Sequence, residues 1–331
     1  MTWSTLGIPP VDAELVSRVQ AGLETVEREL TAAVASDVGL LERAAHHLLD
    51  AGGKRFRPLL VLLAAQLGDS AAPGVIPAAL VVELTHLATL YHDDVMDEAD
   101  LRRGAPSANA RFDNSVAILT GDFLFSRASD IVSDLGPDAV RIQSRTFTRL
   151  VRGQISETAG PEPGEDPVQH YLSVVADKTA SLISTSARFG ARMAGVRDDV
   201  EAVVTAFGEE IGIAFQLSDD ILDVTSDSGE SGKTPGTDLR EGVPTLPTLI
   251  ARQSHHPTDH RLLELLSGPI ADEGRHGEAL ALLRKNPAMT KARAELARHA
   301  DAARGMLDGV PDGPGRQALL GLCDVVMTRT A

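Results

Sequence analysis

Residues 78–92 read AALVVELTHLATLYH and stand directly before two aspartates, Asp93 and Asp94. Apolar side chains occupy nearly every turn of this segment, which predicts a helix that is buried on most of its faces. Similar apolar patterns at helical spacing, rich in alanine and leucine, recur along the 331 residues. Runs of alternating β-branched residues are missing, so the sequence predicts an all-α fold.

Glycine and proline divide this helical pattern into long segments. No divider has the length or composition of an interdomain linker, and no repeat of solenoid period is present. Helices of about 20 residues favour one large bundle over stacked helix pairs. We therefore expect a single domain over residues 1–331. The dividers lie at residues 52–53, 73–74, 103–106, 136–137, 160–167, 226–242 and 255–257.

Composition and charge exclude several classes of protein. The formal net charge of −16 argues against a protein that binds nucleic acid by neutralising phosphates. The single cysteine, Cys323, cannot form an intrachain disulfide and is expected to be buried. The longest apolar run, residues 59–67, is shorter than the roughly 20 residues that span a bilayer. We expect a cytoplasmic protein without a transmembrane segment, which a lipid-like substrate can still bring into peripheral contact with a membrane.

Three carboxylates follow the opening helix: Asp93, Asp94 and Asp97. Spacing four places Asp93 above Asp97, and like charges at the carboxyl end of a helix repel each other and the helix dipole. Carboxylate oxygens without histidine or thiolate suit hard cations such as Mg²⁺ or Mn²⁺. The alternative for this cluster alone is a solvated acidic helix end.

A second cluster repeats the spacing at the end of a predicted helix over residues 201–224. It consists of Asp219, Asp220 and Asp223, with Gln216 one turn earlier. Two buried helices that deliver matching carboxylates can face each other across a cavity and share divalent ions. The repetition favours a metal site over two unrelated solvated ends.

Basic residues stand beside both acidic clusters, in a chain that is acidic overall. Arginine forks and lysine ammonium groups are the usual partners of phosphate, which predicts an anionic ligand that carries the metal. For the loop 52–58 alone, a helix C-cap with solvated charges is the alternative. His86 lies seven residues before Asp93, on the same helical face, and can donate to a diphosphate. The basic residues are Lys54, Arg55, Arg57, Arg102, Arg103, Lys178 (followed by Thr179) and Lys233.

These motifs, in this order, resemble the trans-isoprenyl diphosphate synthase family, of the medium- or long-chain type. The family includes the farnesyl, geranylgeranyl and longer polyprenyl diphosphate synthases, and the resemblance covers most of the chain. The matching segments are residues 52–58 (GGKRFRP), 93–97 (DDVMD), 101–104 (LRRG), 178–179 (KT), 215–223 (FQLSDDILD), 232–233 (GK) and 236–239 (GTDL).

The resemblance implies a single helical bundle of the isoprenoid synthase type with a central active-site cavity. It implies head-to-tail condensation of isopentenyl diphosphate with an allylic prenyl diphosphate, with release of diphosphate. About three Mg²⁺ ions are implied per site, and Mn²⁺ accepts the same oxygen ligands. The implied metal ligands are Asp93, Asp94, Asp97, Asp219, Asp220 and Asp223. Arg102, Lys178, Thr179, Gln216 and Lys233 are expected at the allylic diphosphate. Lys54, Arg57, His86 and Arg103 are expected at isopentenyl diphosphate. The expected catalytic residues are Asp93, Asp94, Asp97, Lys178, Asp219 and Asp220.

Product length in this family depends on the size of the residues that precede the first aspartate cluster. Those four and five positions before Asp93 are small here, Thr89 and Ala88, and Val82 lies further along the helix. We expect the growing chain to pass them and to exceed the length of farnesyl diphosphate. One position departs from the pattern of farnesyl diphosphate synthases, because Val243 stands where those enzymes commonly place a phosphate-binding lysine.

Three other functions share part of this pattern. A class I terpene cyclase also ionises an allylic diphosphate, but its second metal motif usually differs and it lacks the basic loop 52–58. A non-catalytic subunit of a heteromeric synthase tends to lose aspartates or that loop, and neither is lost here. A plain cation-binding helical protein leaves the basic residues unexplained. The resemblance also implies a homodimer.

Overall fold

The computed structural model describes residues 12–226 and 235–329. Within them the chain is helical apart from one short antiparallel hairpin, which confirms the all-α prediction. The α-helices are α1 Ala13–Ala33, α2 Gly39–Asp50, α3 Phe56–Ala65, α4 Val75–Met96, α5 Ala108–Phe112, α6 Asn114–Asp134, α7 Pro137–Ala159, α8 Pro167–Val175, α9 Ser181–Met193, α10 Asp198–Thr225, α11 Thr237–Glu241, α12 Leu246–Arg252, α13 His260–Leu265, α14 Glu273–Lys285, α15 Pro287–Met306 and α16 Pro314–Thr328. The strands are β1 Leu101–Arg102 and β2 Ala105–Pro106.

The described residues fall into two compact units. Unit 1 holds residues 12–148, 182–208 and 306–321, and unit 2 holds residues 149–181, 209–226, 235–305 and 322–329. The first aspartate cluster belongs to unit 1 and the second to unit 2. The single domain over residues 1–331, and the meeting of the two clusters at one cavity, stay predictions.

Helix α4 forms the core of unit 1, as its uniformly apolar sequence predicts. It packs mainly against α6 and α3, and Leu84, Leu87 and Tyr91 are fully buried. It is also the one described helix whose length and composition would allow it to cross a membrane. However, 67% of its most apolar window is buried inside the protein, so it is a core helix.

The hairpin of β1 and β2 follows α4 closely and carries two of the predicted phosphate ligands. Leu101 pairs with Pro106, and the two residues of the turn, Arg103 and Gly104, have positive φ values of 54° and 77°. Positive φ at both central residues matches the right-handed twist of a two-residue hairpin. The turn therefore fixes Arg102 and Arg103 a few residues beyond the aspartates.

Unit 2 contains α10 from residue 209 onward, together with α8, α12, α14 and most of α15. Between α8 and α9 the chain widens into a π-helical turn, Ala176–Ala180. A partly buried ion network joins this turn to its neighbours, since Arg149 Nε lies 2.8 Å from Asp177 Oδ1 and Arg149 Nη1 lies 3.0 Å from Glu209 Oε2. Cys323 is fully buried, as expected, and burial raises the pKa of its thiol to about 12.

Candidate active site

The first aspartate cluster occupies the last turn of α4. Asp97 caps the helix, and Asp93 and Asp97 keep exposed surface, whereas Asp94 is turned inward and fully buried. One oxygen of Asp94, Oδ1, accepts a hydrogen bond from Arg102 Nε at 2.6 Å. The other, Oδ2, is buried without a hydrogen-bond partner. Because a buried carboxylate oxygen without a partner is costly, this donor set suits a cation.

A basic pocket of unit 1 consists of Arg57, His86 and Arg103. The Nε atom of Arg57 is buried without a hydrogen-bond partner. Burial, together with the charge of Arg103, lowers the pKa of Arg57 to about 10. Burial and the surrounding arginines hold the pKa of His86 well below its usual value. Crowded cations of this kind are stabilised by a multivalent anion such as a diphosphate.

The three cationic side chains of the loop 52–58 have different surroundings. Arg55 is 5% exposed, lies in the left-handed region with φ 45°, and pairs with Glu27 at 2.6 Å and Glu83 at 3.1 Å. Lys54, in contrast, is exposed. Gly53 permits close packing here, since a Cβ at this position would lie 2.9 Å from Arg55 Nη1 and 3.0 Å from Arg103 Nη2. Arg55 therefore holds the loop in place for Lys54 and Arg57.

The second aspartate cluster lies at the carboxyl end of α10, in unit 2. The Asp219 side chain is 40% exposed, and its Oδ1 atom accepts a hydrogen bond from Arg329 Nη2 at 2.6 Å. The Arg329 guanidinium also lies 5.0 Å from the ring centroid of Phe215, one turn earlier. An arginine just beyond α16 thus takes the position of a counter-ion on a predicted metal ligand.

The other two aspartates of this cluster accept hydrogen bonds from the protein. Asp220 is 4% exposed, and burial raises its pKa to about 6 although its hydrogen-bond donors oppose the shift. Asp223 accepts from two backbone amides at the start of α11, those of Thr237 at 3.1 Å and Asp238 at 3.2 Å. The cluster is therefore anchored locally before any ligand arrives.

The π-helical turn presents Lys178 and Thr179. Lys178 Nζ forms a short ion pair with Glu157, and Thr179 Oγ1 donates to Gln216 Oε1 at 3.2 Å. Gly153 allows α7 to approach, because a Cβ there would lie 2.6 Å from the Lys178 backbone nitrogen. π-helical turns often occur at functional sites, and this one carries the predicted phosphate-binding lysine.

Unit 2 contains a cavity of about 490 Å³. Four residues predicted from sequence line it, namely Lys178, Thr179, Gln216 and Asp220. The sequence did not single out several other lining residues, among them Glu157, His170, Tyr171 and Arg252. Tyr171 precedes Lys178 by seven residues, which is a signal that sequence reasoning could have used. Val243 and Pro244 also line this cavity.

The three predicted chain-length residues differ in their surroundings. Val82 is 0% and Ala88 1% exposed, so both are tightly packed in the core of unit 1. Thr89 is half-buried, and its hydroxyl donates to the His86 carbonyl at 2.8 Å. Of the three residues, Thr89 is therefore the one that keeps exposed surface.

Two predictions for the site have no direct counterpart in the structure. Lys233 lies outside the described residues. Among residues 12–226 and 235–329, no three His, Cys, Asp or Glu side chains come together as a metal-holding group.

Comparison with known proteins decides the family. The family model described as polyprenyl synthetase matches residues 38–283. The chain belongs to the polyprenyl synthetase family. It is 47% identical over 324 residues to the nonaprenyl diphosphate synthase of Mycobacterium tuberculosis, covering 98% of this chain and 97% of that one. It is 40% identical over 314 residues to a dimethylallyltranstransferase of the same organism, covering 95% of each.

A solved structure extends the likeness to the fold. The crystal structure of geranylgeranyl pyrophosphate synthase from Corynebacterium glutamicum, complexed with calcium and isoprenyl diphosphate, matches with a TM-score of 0.86 and 43% identity. The match covers 96% of this chain and 98% of that one. The polyprenyl synthetase chain thus has the all-α isoprenoid synthase fold, and both the family and the fold predicted from sequence are confirmed.

Proposed function

We propose that this chain is a trans-prenyltransferase that condenses isopentenyl diphosphate with an allylic prenyl diphosphate in head-to-tail fashion. The reaction releases diphosphate and makes a product longer than farnesyl diphosphate. The observation that carries the proposal is the basic pocket, in which Arg57 Nε is buried without a hydrogen-bond partner. The same chain of this family also has two aspartate clusters. A cyclase or a plain cation-binding protein has no use for that pocket.

The basic pocket of unit 1 would hold isopentenyl diphosphate. Arg57 and Arg103 offer guanidinium forks, exposed Lys54 adds an ammonium group, and His86 supplies a hydrogen-bond donor. Because the pKa of His86 is lowered, its ring is neutral near pH 7 before the ligand binds and repels no neighbouring arginine. The bound diphosphate would offset the mutual repulsion of the arginines.

The aspartate clusters would hold the allylic diphosphate through magnesium, each sharing the metal with phosphate oxygens. Magnesium, when bound, supplies Lewis-acid stabilisation of the departing diphosphate, and Mn²⁺ suits the same oxygen ligands. Asp93, Asp97 and Asp219 keep exposed surface for this role. Lys178 and Arg102 would add positive charge next to the phosphates. The chain's own residues thus bind and orient the leaving group.

Release of diphosphate separates this proposal from its rivals. A synthase releases diphosphate only when isopentenyl diphosphate accompanies the allylic substrate, whereas a cyclase releases it from the allylic substrate alone. Continuous detection of diphosphate with dimethylallyl, geranyl, farnesyl and geranylgeranyl diphosphate in turn, with and without isopentenyl diphosphate, tests this directly. Release without isopentenyl diphosphate would favour cyclisation. Release under neither condition, from folded protein, would favour a non-catalytic subunit.

A long product is supported by two relatives and one side chain. Nonaprenyl diphosphate synthase at 47% identity and geranylgeranyl pyrophosphate synthase at 43% are both named for products longer than farnesyl diphosphate. The half-buried Thr89 is smaller than the bulky residues that stop elongation in short-chain enzymes. We propose that the growing chain passes Thr89, whereas the tightly packed Ala88 and Val82 contribute only by being small.

We propose that the chain forms a homodimer. We also propose that it is located in the cytoplasm. Val151 and Ile155, one turn apart on α7, are 43% and 63% exposed. Exposed apolar side chains at helical spacing suit a self-complementary interface between two copies. A matched pair of variants, Ile155→Glu and Glu162→Gln, tests this by sedimentation. Only Ile155→Glu should give monomers, and a dimer that survives it would contradict the proposed face.

We predict that Arg329 competes with magnesium for Asp219. Exposed ion pairs contribute about 0.2–1 kcal/mol, so Arg329→Gln should lower the half-saturating Mg²⁺ concentration about three-fold in calorimetric titrations with inorganic diphosphate. The matched control is Arg304→Gln, which removes the pair with Asp324 elsewhere in unit 2. Weaker Mg²⁺ binding in Arg329→Gln would mean that Arg329 serves the ligand and does not compete with it.

We predict that Val243→Lys tightens the binding of the allylic diphosphate. Val243 is 41% exposed and lines the cavity that Lys178 and Asp220 share, so a lysine there can reach a phosphate. A charged hydrogen bond of about 1.5 kcal/mol corresponds to a KM about ten-fold lower for the allylic substrate. Val243→Met provides length without charge and should leave KM unchanged. Equal effects of both substitutions would contradict an electrostatic cause.

A further inference from the structure

Asp220 accepts hydrogen bonds from three protein donors. Its Oδ1 atom accepts from Gln216 Nε2 at 3.0 Å, and its Oδ2 atom accepts from the Leu246 backbone amide at 3.1 Å. The Oδ2 atom also accepts a short hydrogen bond from the Tyr171 hydroxyl. With 4% exposure and three protein donors, Asp220 holds α8, α10 and the start of α12 together.

Two hydrogen bonds join α8 and the π-helical turn to α10. The first is the bond from Tyr171 to Asp220, and the second is the 3.2 Å bond from Thr179 Oγ1 to Gln216 Oε1. Gln216 and Asp220 also bond to each other, so the four side chains form one continuous chain of hydrogen bonds. In sequence, Lys178 lies between Tyr171 and Thr179, the two residues that form these bonds. Both bonds therefore constrain how the π-helical turn, which carries Lys178, packs against α10.

Tyr171 is the donor that α8 contributes to this network. Its hydroxyl donates to Asp220 Oδ2. The pair lies in the wall of the cavity, where a hydroxyl lost from Tyr171 would leave Asp220 Oδ2 with a single backbone donor. A partly satisfied buried carboxylate tends to move toward water or another partner.

We propose that Tyr171 is a positioning residue, which acts through Asp220 to set Lys178 and the second aspartate cluster at the separation that a magnesium-bound diphosphate requires. Tyr171 itself touches no reacting atom. Asp220 then serves as the anchor of the cluster, and Asp219, whose side chain is 40% exposed, is left to meet the metal. This inference rests on the proposed function, since it needs a diphosphate site in unit 2.

A double-mutant cycle on ligand binding tests the proposal. Inorganic diphosphate with Mg²⁺ is titrated by calorimetry into the wild-type protein, Tyr171→Phe, Asp220→Asn and the double variant. We expect Tyr171→Phe to weaken binding about ten-fold and the double variant to bind no more weakly than Asp220→Asn, because residues that act as a unit are not additive. Additive losses would show that Tyr171 does not act through Asp220.

Tyr91→Phe serves as the control for loss of a buried tyrosine hydroxyl. The Tyr91 hydroxyl bonds to the backbone of α2, where Leu48 N donates to it at 3.2 Å, and its other hydrogen bonds are also to main-chain atoms of that helix. Tyr91→Phe should lower thermal stability as Tyr171→Phe does, with unchanged binding of magnesium diphosphate. Unchanged binding in Tyr171→Phe would overturn the positioning role alone. Absence of binding in the wild-type protein would instead overturn the proposed function.

Discussion

Asp93→Asn should reduce kcat about 10³-fold while making the folded protein more stable. Loss of one group that stabilises a developing oxyanion costs about 10²–10³ in rate, and a carboxylate that holds the metal should lie at the upper end. At the same time the substitution removes a negative charge from the last turn of α4, which contains no basic residue. Relief at a helix end and from a like charge four residues away is worth about 0.5–1 kcal/mol of unfolding free energy.

Steady-state rates and urea unfolding of the same preparation measure both effects. Asp134→Asn is the matched control, because Asp134 is an exposed aspartate at the end of α6 and lies outside both clusters. It should leave kcat unchanged. A fall in both activity and unfolding free energy for Asp93→Asn would indicate a structural role for Asp93, and retained activity would remove it from the metal site.

Thr89→Phe should shorten the product by several isoprene units while the first condensation continues. Thr89 lies one turn before Asp93 on α4, and its side chain is half-buried, whereas Ala88 is 1% exposed. A phenyl ring there would stand in the path of the growing chain. Chromatography of the dephosphorylated products measures the change in length directly.

Ala88→Phe provides the contrast, because Ala88 is 1% exposed and packed on all sides. Overpacking of this kind costs about 1–3 kcal/mol, so this variant should lose stability before it changes product length. If Thr89→Phe makes the wild-type product, the growing chain does not pass Thr89. If Ala88→Phe alone shortens the product of a stable enzyme, the growing chain passes Ala88 and does not pass Thr89.

Local patterns predicted the helices and the clusters well. The segment 78–92 is apolar on every face, so its burial follows from composition, and α4 extends it to Val75–Met96. The helix predicted over residues 201–224 is α10, Asp198–Thr225. Aspartates at spacing one and four had to stand at the helix ends, because breakers follow both segments.

Long-range partners could not be predicted in the same way. Arg329 meets Asp219 across 110 positions of sequence, and Tyr171 meets Asp220 across 49. Neither pair has a local pattern, since only the packing of α8, α10 and α16 brings the side chains together. Arg55 looked like its neighbours Lys54 and Arg57, and only its left-handed backbone turns it toward Glu27 and Glu83.

The central claim is elongation of an allylic diphosphate, and analysis of the labelled product tests it most directly. The purified protein is incubated with radiolabelled isopentenyl diphosphate, Mg²⁺ and, separately, dimethylallyl, geranyl, farnesyl or geranylgeranyl diphosphate. The dephosphorylated products are then separated by chromatography. We predict linear prenyl alcohols longer than farnesol, which disappear when EDTA is added. Absence of label in any prenyl product, from folded protein with every primer, would contradict the account.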